Sequence, residues 1–157
     1  MEKHRFELFD VSVSLICKNL QKIKTEIMQK YGLKSSHVLF IVQLGEREEG
    51  LTASELSQAG HMDKAQISRV VSELTLKGLM TRISEAGQKY KYRLTLTESG
   101  RKIAAELERQ IESALEYVSG SIPKADLEIF YRTLFTISDN LFSLSAEPEA
   151  LSATSGN

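Results

Sequence analysis

The sequence predicts a mainly α-helical chain with one small β-hairpin, an α+β fold. Three observations carry that expectation. Apolar residues recur at spacings of three and four along most of the 157 residues, the period of an amphipathic helix. Helix-start and helix-stop residues punctuate those runs at regular places. Between residues 79 and 96 the period changes to two, around a central Glu85-Ala86-Gly87.

From Phe6 to about Lys30, Phe9, Val13, Ile16, Leu20, Ile23 and Ile27 fall on one helical face, and Gly32 ends the run. A second helix from about Ser35 to Glu48 carries Val38, Leu39, Ile41, Val42 and Leu44, dense enough for burial on most sides. Gly50 closes it. Thr52 and Glu55 have the spacing of a capping box, each satisfying the other's unpaired backbone donor, and open a short helix to near Gly60. Asp63 caps a helix running to Lys77, with Gly78 just beyond. Residues 79–84 and 90–96 read as strands, where Tyr90, Tyr92 and Leu94 alternate with Lys91, Arg93 and Thr95. Thr97 caps a long helix to about Val118, and Pro123 with Asp126 opens a last one to about Leu144. The tail, residues 146–157, has little to bury and is expected to be disordered.

Composition bounds the function. An apolar fraction of 41% and a charged fraction of 26% are those of a globular protein, and no apolar run reaches the roughly 20 residues of a membrane span. The single cysteine, Cys17, excludes an internal disulfide and suits a reducing cytoplasm. The net charge of −1 hides an uneven distribution. Residues 61–93 hold seven Lys or Arg against three Asp or Glu, whereas residues 98–157 hold five against ten. The positive segment is also the one with the short capped helices and the hairpin, as an interface with phosphates requires.

In the helix opened by Asp63, Ile67, Val70, Val71 and Leu74 share the face that must pack inward. Lys64, Ala65, Gln66, Ser68, Arg69 and Ser72 are left outward near its N-terminus. Small side chains let a helix sit deep in a major groove, and Gln66 and Arg69 have the donors and acceptors for adenine and guanine edges. Lys64, Ser68 and the first backbone N–H groups suit phosphate. A merely solvated polar face would show the same periodicity. The hairpin behind it shifts the balance, because Arg82, Lys89, Lys91 and Arg93 give a small ribbon four cations suited to the DNA backbone or minor groove. Helix, turn, helix, hairpin is the layout of a winged helix-turn-helix, assigned to residues 35–97, and the partner it implies is double-stranded DNA. The first and last helices, residues 1–34 and 98–145, carry more apolar surface than so small a domain can cover, which points to a helical dimerisation region and a homodimer.

Residues 51–97 resemble the MarR family of bacterial transcription regulators. The resemblance rests on Leu51-Thr52, Glu55-Leu56, Asp63-Lys64, Ser68-Arg69-Val70-Val71, Leu74, Lys77-Gly78-Leu79, and Leu96-Thr97 with Gly100. It implies a homodimer with interlocked N- and C-terminal helices, reading the half-sites of a pseudo-palindrome and usually repressing transcription. One departure concerns the wing, where the family commonly has an Asp-x-Arg motif. Gln88 stands at the aspartate position, followed by Lys89 and Tyr90, so the usual ion pair bracing the wing is missing.

The resemblance also implies a small-molecule effector, often aromatic or phenolic, held between the dimer helices and the winged domain. Tyr31, His37 and Phe40 are the candidate lining residues, although a lone histidine beside an apolar helix more often serves the backbone. Some family members sense oxidants through a cysteine in the first helix. Cys17 sits between Ile16 and Leu20 and reads instead as a buried structural thiol, with redox sensing as the alternative.

Enzymatic chemistry has little to stand on. His4, His37 and His61 show no metal-ligand spacing, no glycine loop cradles phosphate, and no cofactor is expected. Ser121 and Lys124 have the spacing of a nucleophile pair, but capping and turn chemistry account for them. A winged helix serving a protein partner is the competing class, and it would show an apolar outward face where this sequence has Lys, Gln, Ser and Arg.

Overall fold

The computed structural model describes residues 2–60, 62–84 and 92–146. Its elements are α1 (Glu2–Gln29), a 3₁₀ turn (Ser35–His37), α2 (Val38–Gly45), α3 (Ala53–Gly60), α4 (Lys64–Leu76), β1 (Met80–Ser84), β2 (Tyr92–Leu96), α5 (Glu98–Ser119) and α6 (Lys124–Ala146). This is the mainly helical fold with one hairpin that the sequence predicts. The expected tail beyond Ala146 lies outside the described residues, as do the hairpin turn Glu85-Ala86-Gly87, Gln88, Lys89 and Lys91.

The local signals fold as their chemistry demands. Thr52 N–H donates to Glu55 Oε2 (2.7 Å) and Glu55 N–H to Thr52 Oγ1 (3.2 Å), so the capping box opens α3. Asp63 Oδ1 accepts the Gln66 N–H (2.8 Å) at the start of α4. That helix ends in a Schellman motif: Gly78 at φ 67° donates to Thr75 O (2.9 Å) and Leu79 N–H reaches back to Leu74 O (3.0 Å). The expected Ser35–Glu48 helix is shorter than predicted. It begins as a 3₁₀ turn and stops at Gly45, because Glu46–Glu49 offers nothing apolar to pack.

The described chain falls into two compact units, Met1–Gln110 and Ile111–Asn157. In the first, Phe40, Ile41 and Leu44 of α2, Leu56 of α3, and Ile67, Val70, Val71 and Leu74 of α4 form a continuous core. Leu94 and Leu96 of β2 and Leu107 of α5 complete it. β1 and β2 pair antiparallel in the register Met80 with Leu96, Arg82 with Leu94 and Ser84 with Tyr92. Leu51 extends the hairpin by one residue, exchanging both backbone bonds with Leu94 (2.9 and 2.7 Å). Two glycines are steric necessities. A Cβ on Gly50, at φ 75°, would lie 2.3 Å from Leu94 O, and one on Gly100 would lie 2.1 Å from Leu79 O. Thr97 locks the latter junction, donating to Gly78 O (2.7 Å) and accepting the Gly100 N–H (3.2 Å).

α1 meets this core only near its end, where Met28 is fully buried. Phe6, Leu8, Val11, Leu15 and Ile16 stay exposed. Cys17, read from sequence as buried, is exposed as well: its apolar neighbours have no cover within the unit. In the second unit α6 buries no side chain, and Ile129, Phe130, Phe135, Leu141 and Phe142 all face outward. Among the described residues no helix is long and apolar enough to cross a membrane.

Candidate nucleic-acid interface

The two faces of α4 divide as its sequence demands. Ile67, Val70, Val71 and Leu74 are buried, while Lys64, Ala65, Gln66, Ser68, Arg69 and Ser72 are all exposed. Two of the outward groups have local duties. Gln66 Oε1 accepts the Asp63 N–H (3.3 Å), completing the capping box, and Arg69 Nε donates to Ala65 O (3.4 Å). Both bonds are long and solvent-facing, so either side chain can exchange its bond for a base edge at little cost.

A cleft runs along each flank of the helix. Towards the hairpin, about 340 Å³ is enclosed between α3, α4 and the strands, with Ser54, Ser57, Lys64, Ser68 and Arg82 supplying polar groups over a floor of Ile67, Val71 and Leu94. Arg82 is held there by its neighbour, its guanidinium lying 4.7 Å from the centre of the Tyr92 ring. On the other flank, about 410 Å³ opens between the 3₁₀ turn and α4, with Lys34, Ser36, Gln66, Arg69 and Glu73 around it.

Arg93, expected among the cations facing DNA, turns instead into its own unit. Residues paired across a hairpin share a face, so Arg82 goes with Leu94 and Tyr92, and Arg93 goes with Ile83 on the other side. There the α2–α3 turn covers it. Its Nε donates to Glu49 O (3.0 Å), its Nη2 to Gly50 O (2.9 Å), and Glu55 Oε2 lies 3.6 Å away. These contacts clip β2 to the start of α3, a wing brace with no counterpart in the sequence motif at Gln88. Lys89 and Lys91 lie outside the described residues.

The three candidate effector residues all lie in this unit. Phe40 is a fully buried core residue. Tyr31 is half-buried, with the Lys30 ammonium 4.9 Å from its ring centre. His37 is 1% exposed, and both ring nitrogens are engaged. Nδ1 accepts the Lys34 N–H (3.2 Å), which assigns the proton to Nε2, and Nε2 meets Glu73 Oε2 at 2.9 Å. Burial holds the imidazole below its ordinary pKa, with the Glu73 bond opposing. Glu73 in turn accepts from Lys34 Nζ (2.6 Å). That bond and the His37 contact hold its carboxyl below the usual carboxylate value. The sequence reading missed Lys34 and Glu73, because their pairing spans 39 residues and leaves no local pattern.

Neither cleft is lined by Tyr31, His37 or Phe40. Among the described residues no group of His, Cys, Asp and Glu is placed to hold a metal ion.

Residues 31–89 match the model of the MarR family. No curated protein sequence matches the chain. A MarR-family regulator from Listeria monocytogenes, solved with a 26mer DNA, superposes with a TM-score of 0.76 at 18% identity, covering 93% of this chain and 93% of that one. The S. aureus MepR–DNA complex gives 0.75 at 14% identity, over 84% and 97%. CouR from Rhodococcus jostii RHA1, bound to p-coumaroyl-CoA, gives 0.74 at 20% identity, over 82% and 90%. Over residues 31–89 the chain is thus similar to the MarR family, and the winged-helix fold built around them is the fold of these solved structures.

Proposed function

We propose that the chain is a sequence-specific DNA-binding repressor that grips a pseudo-palindromic operator as a homodimer and is released by a small ligand. The observation that carries the reading is the outward face of α4, where six small, polar or basic residues stand exposed above a fully buried apolar face. Arg69 and Gln66 read base edges; Lys64, Ser68 and Arg82 take phosphates. Dimerisation is supported by the uncovered apolar side chains of α1 and α6, which a second copy would bury. An aromatic or phenolic effector is supported by the p-coumaroyl-CoA held by the structurally similar CouR. No side chain of this chain is assigned to it.

The test is titration of the protein into a duplex selected from a random library and into a fixed random duplex of equal length, across several salt concentrations. Preferential binding that saturates at one dimer per selected site is expected. Equal, weak and salt-sensitive binding to both duplexes would remove operator reading.

A further inference from the structure

A helix about 10–12 Å across, lying in a major groove about 12 Å wide, has a sugar–phosphate strand on each side. The hairpin-side cleft already carries Lys64 and Arg82 for one strand. On the opposite flank the 3₁₀ turn brings Lys34 and Ser36 beside Gln66 and Arg69, so a cation and a hydroxyl stand where the second strand would pass. Glu73 is the complication. A bare carboxylate on that rim would repel phosphate, yet this one accepts from Lys34 Nζ at 2.6 Å and meets His37 Nε2 at 2.9 Å.

The two partners of Glu73 differ in freedom. The Lys34 side chain is 68% exposed on a flexible stem, and exposed ion pairs hold little free energy. His37 is buried and fixed at its other nitrogen by the Lys34 backbone. Glu73 can therefore give up the lysine and remain bonded to the histidine. Resting on the DNA-binding reading above, we propose that Lys34 and Ser36 form a second phosphate-binding edge beside α4, and that Glu73 is its latch. Glu73 holds Lys34 until a DNA phosphate takes it, while His37 keeps the carboxylate in place. The exchange swaps one ion pair for another and releases the counterion condensed on that phosphate, which is a salt-dependent gain.

The test uses the full-length chain and the same two duplexes. Lys34→Met should weaken binding to both by the same factor and flatten the plot of log K against log salt by about one unit. Lys34→Arg should restore the slope. Glu73→Gln should tighten binding to both duplexes, and Lys34→Met should cost more in that background than in the wild type, because no latch then has to open. Lys22→Met, which removes a lysine paired with Glu26 on α1, should leave the slope unchanged. Circular-dichroism melts establish folding of each variant, and Lys34→Gln substitutes for the Met variant if the latter melts early. An unaltered slope in Lys34→Met beside a wild type that binds normally overturns the proposal alone. So does an equal flattening in Lys22→Met, which would make the effect one of general charge. A wild type that binds neither duplex removes the DNA-binding reading, and this edge with it.

Discussion

In the unit Met1–Gln110, α2 and α4 bury Phe40, Ile41, Leu44, Ile67, Val70, Val71 and Leu74 against α3 and the hairpin, whereas in the unit Ile111–Asn157 α6 buries no side chain. All three helices carry large apolar residues, so composition does not separate them. What separates them is whether the chain supplies the opposing surface. The winged unit is closed by its own capped helices and hairpin. The C-terminal unit presents Phe130, Phe135 and Phe142 to solvent, an arrangement that a second molecule would complete.

That contrast can be broken by substitutions whose effects should differ in kind. Leu74→Ala, in the fully buried seam of α4, is expected to cost the winged unit about 2–5 kcal/mol, read as a shift in the midpoint of denaturant unfolding. Phe135→Ala should leave monomer stability within roughly 0.5 kcal/mol but weaken self-association by about 2 kcal/mol, some thirtyfold in Kd by sedimentation. A destabilised monomer with unchanged association would erase the distinction. Arg93→Met loses the clip to Glu49 and Gly50 and should cost roughly 1.5 kcal/mol, with weaker binding to every DNA sequence as the wing loosens.

The smallest effect is a pH dependence inside the winged unit. Because burial depresses the His37 pKa in the folded state, the unfolded chain takes up the proton first as pH falls. Stability should therefore be complete above about pH 6.5, the unfolded value, and decline as pH drops from there towards the lower folded pKa. His37→Gln, which can still accept from Lys34 N–H and donate to Glu73, should flatten that part of the profile. A slope of opposite sign would mean that the ring is folded in its charged form.

The sequence reveals those features whose partners lie within a helical turn or a strand of each other. Thr52 with Glu55 and Asp63 with Gln66 are legible because a cap needs only the i, i+3 spacing. The outward face of α4 follows from its period alone. The direction of Arg93 is not legible there, because it depends on its pairing with β1 and on the α2–α3 turn, more than forty residues away by its bond to Gly50. His37 and Lys34 meet Glu73 across 36 and 39 residues, and no periodicity encodes such an encounter. The apolar neighbours of Cys17 predict burial, but an apolar neighbour is no proof of cover, and the thiol is exposed.

An α6 without a single buried side chain would, in a self-associating chain, tie the molecule's behaviour to its abundance. If a second copy covers that helix, the law of mass action governs its order, and the melting temperature rises with the amount of protein in the tube. Dilution would then expose the same phenylalanines to proteases and to one another, making scarcity as well as heat a route to aggregation. The copy number of such a chain would then be a physical variable of its own folding.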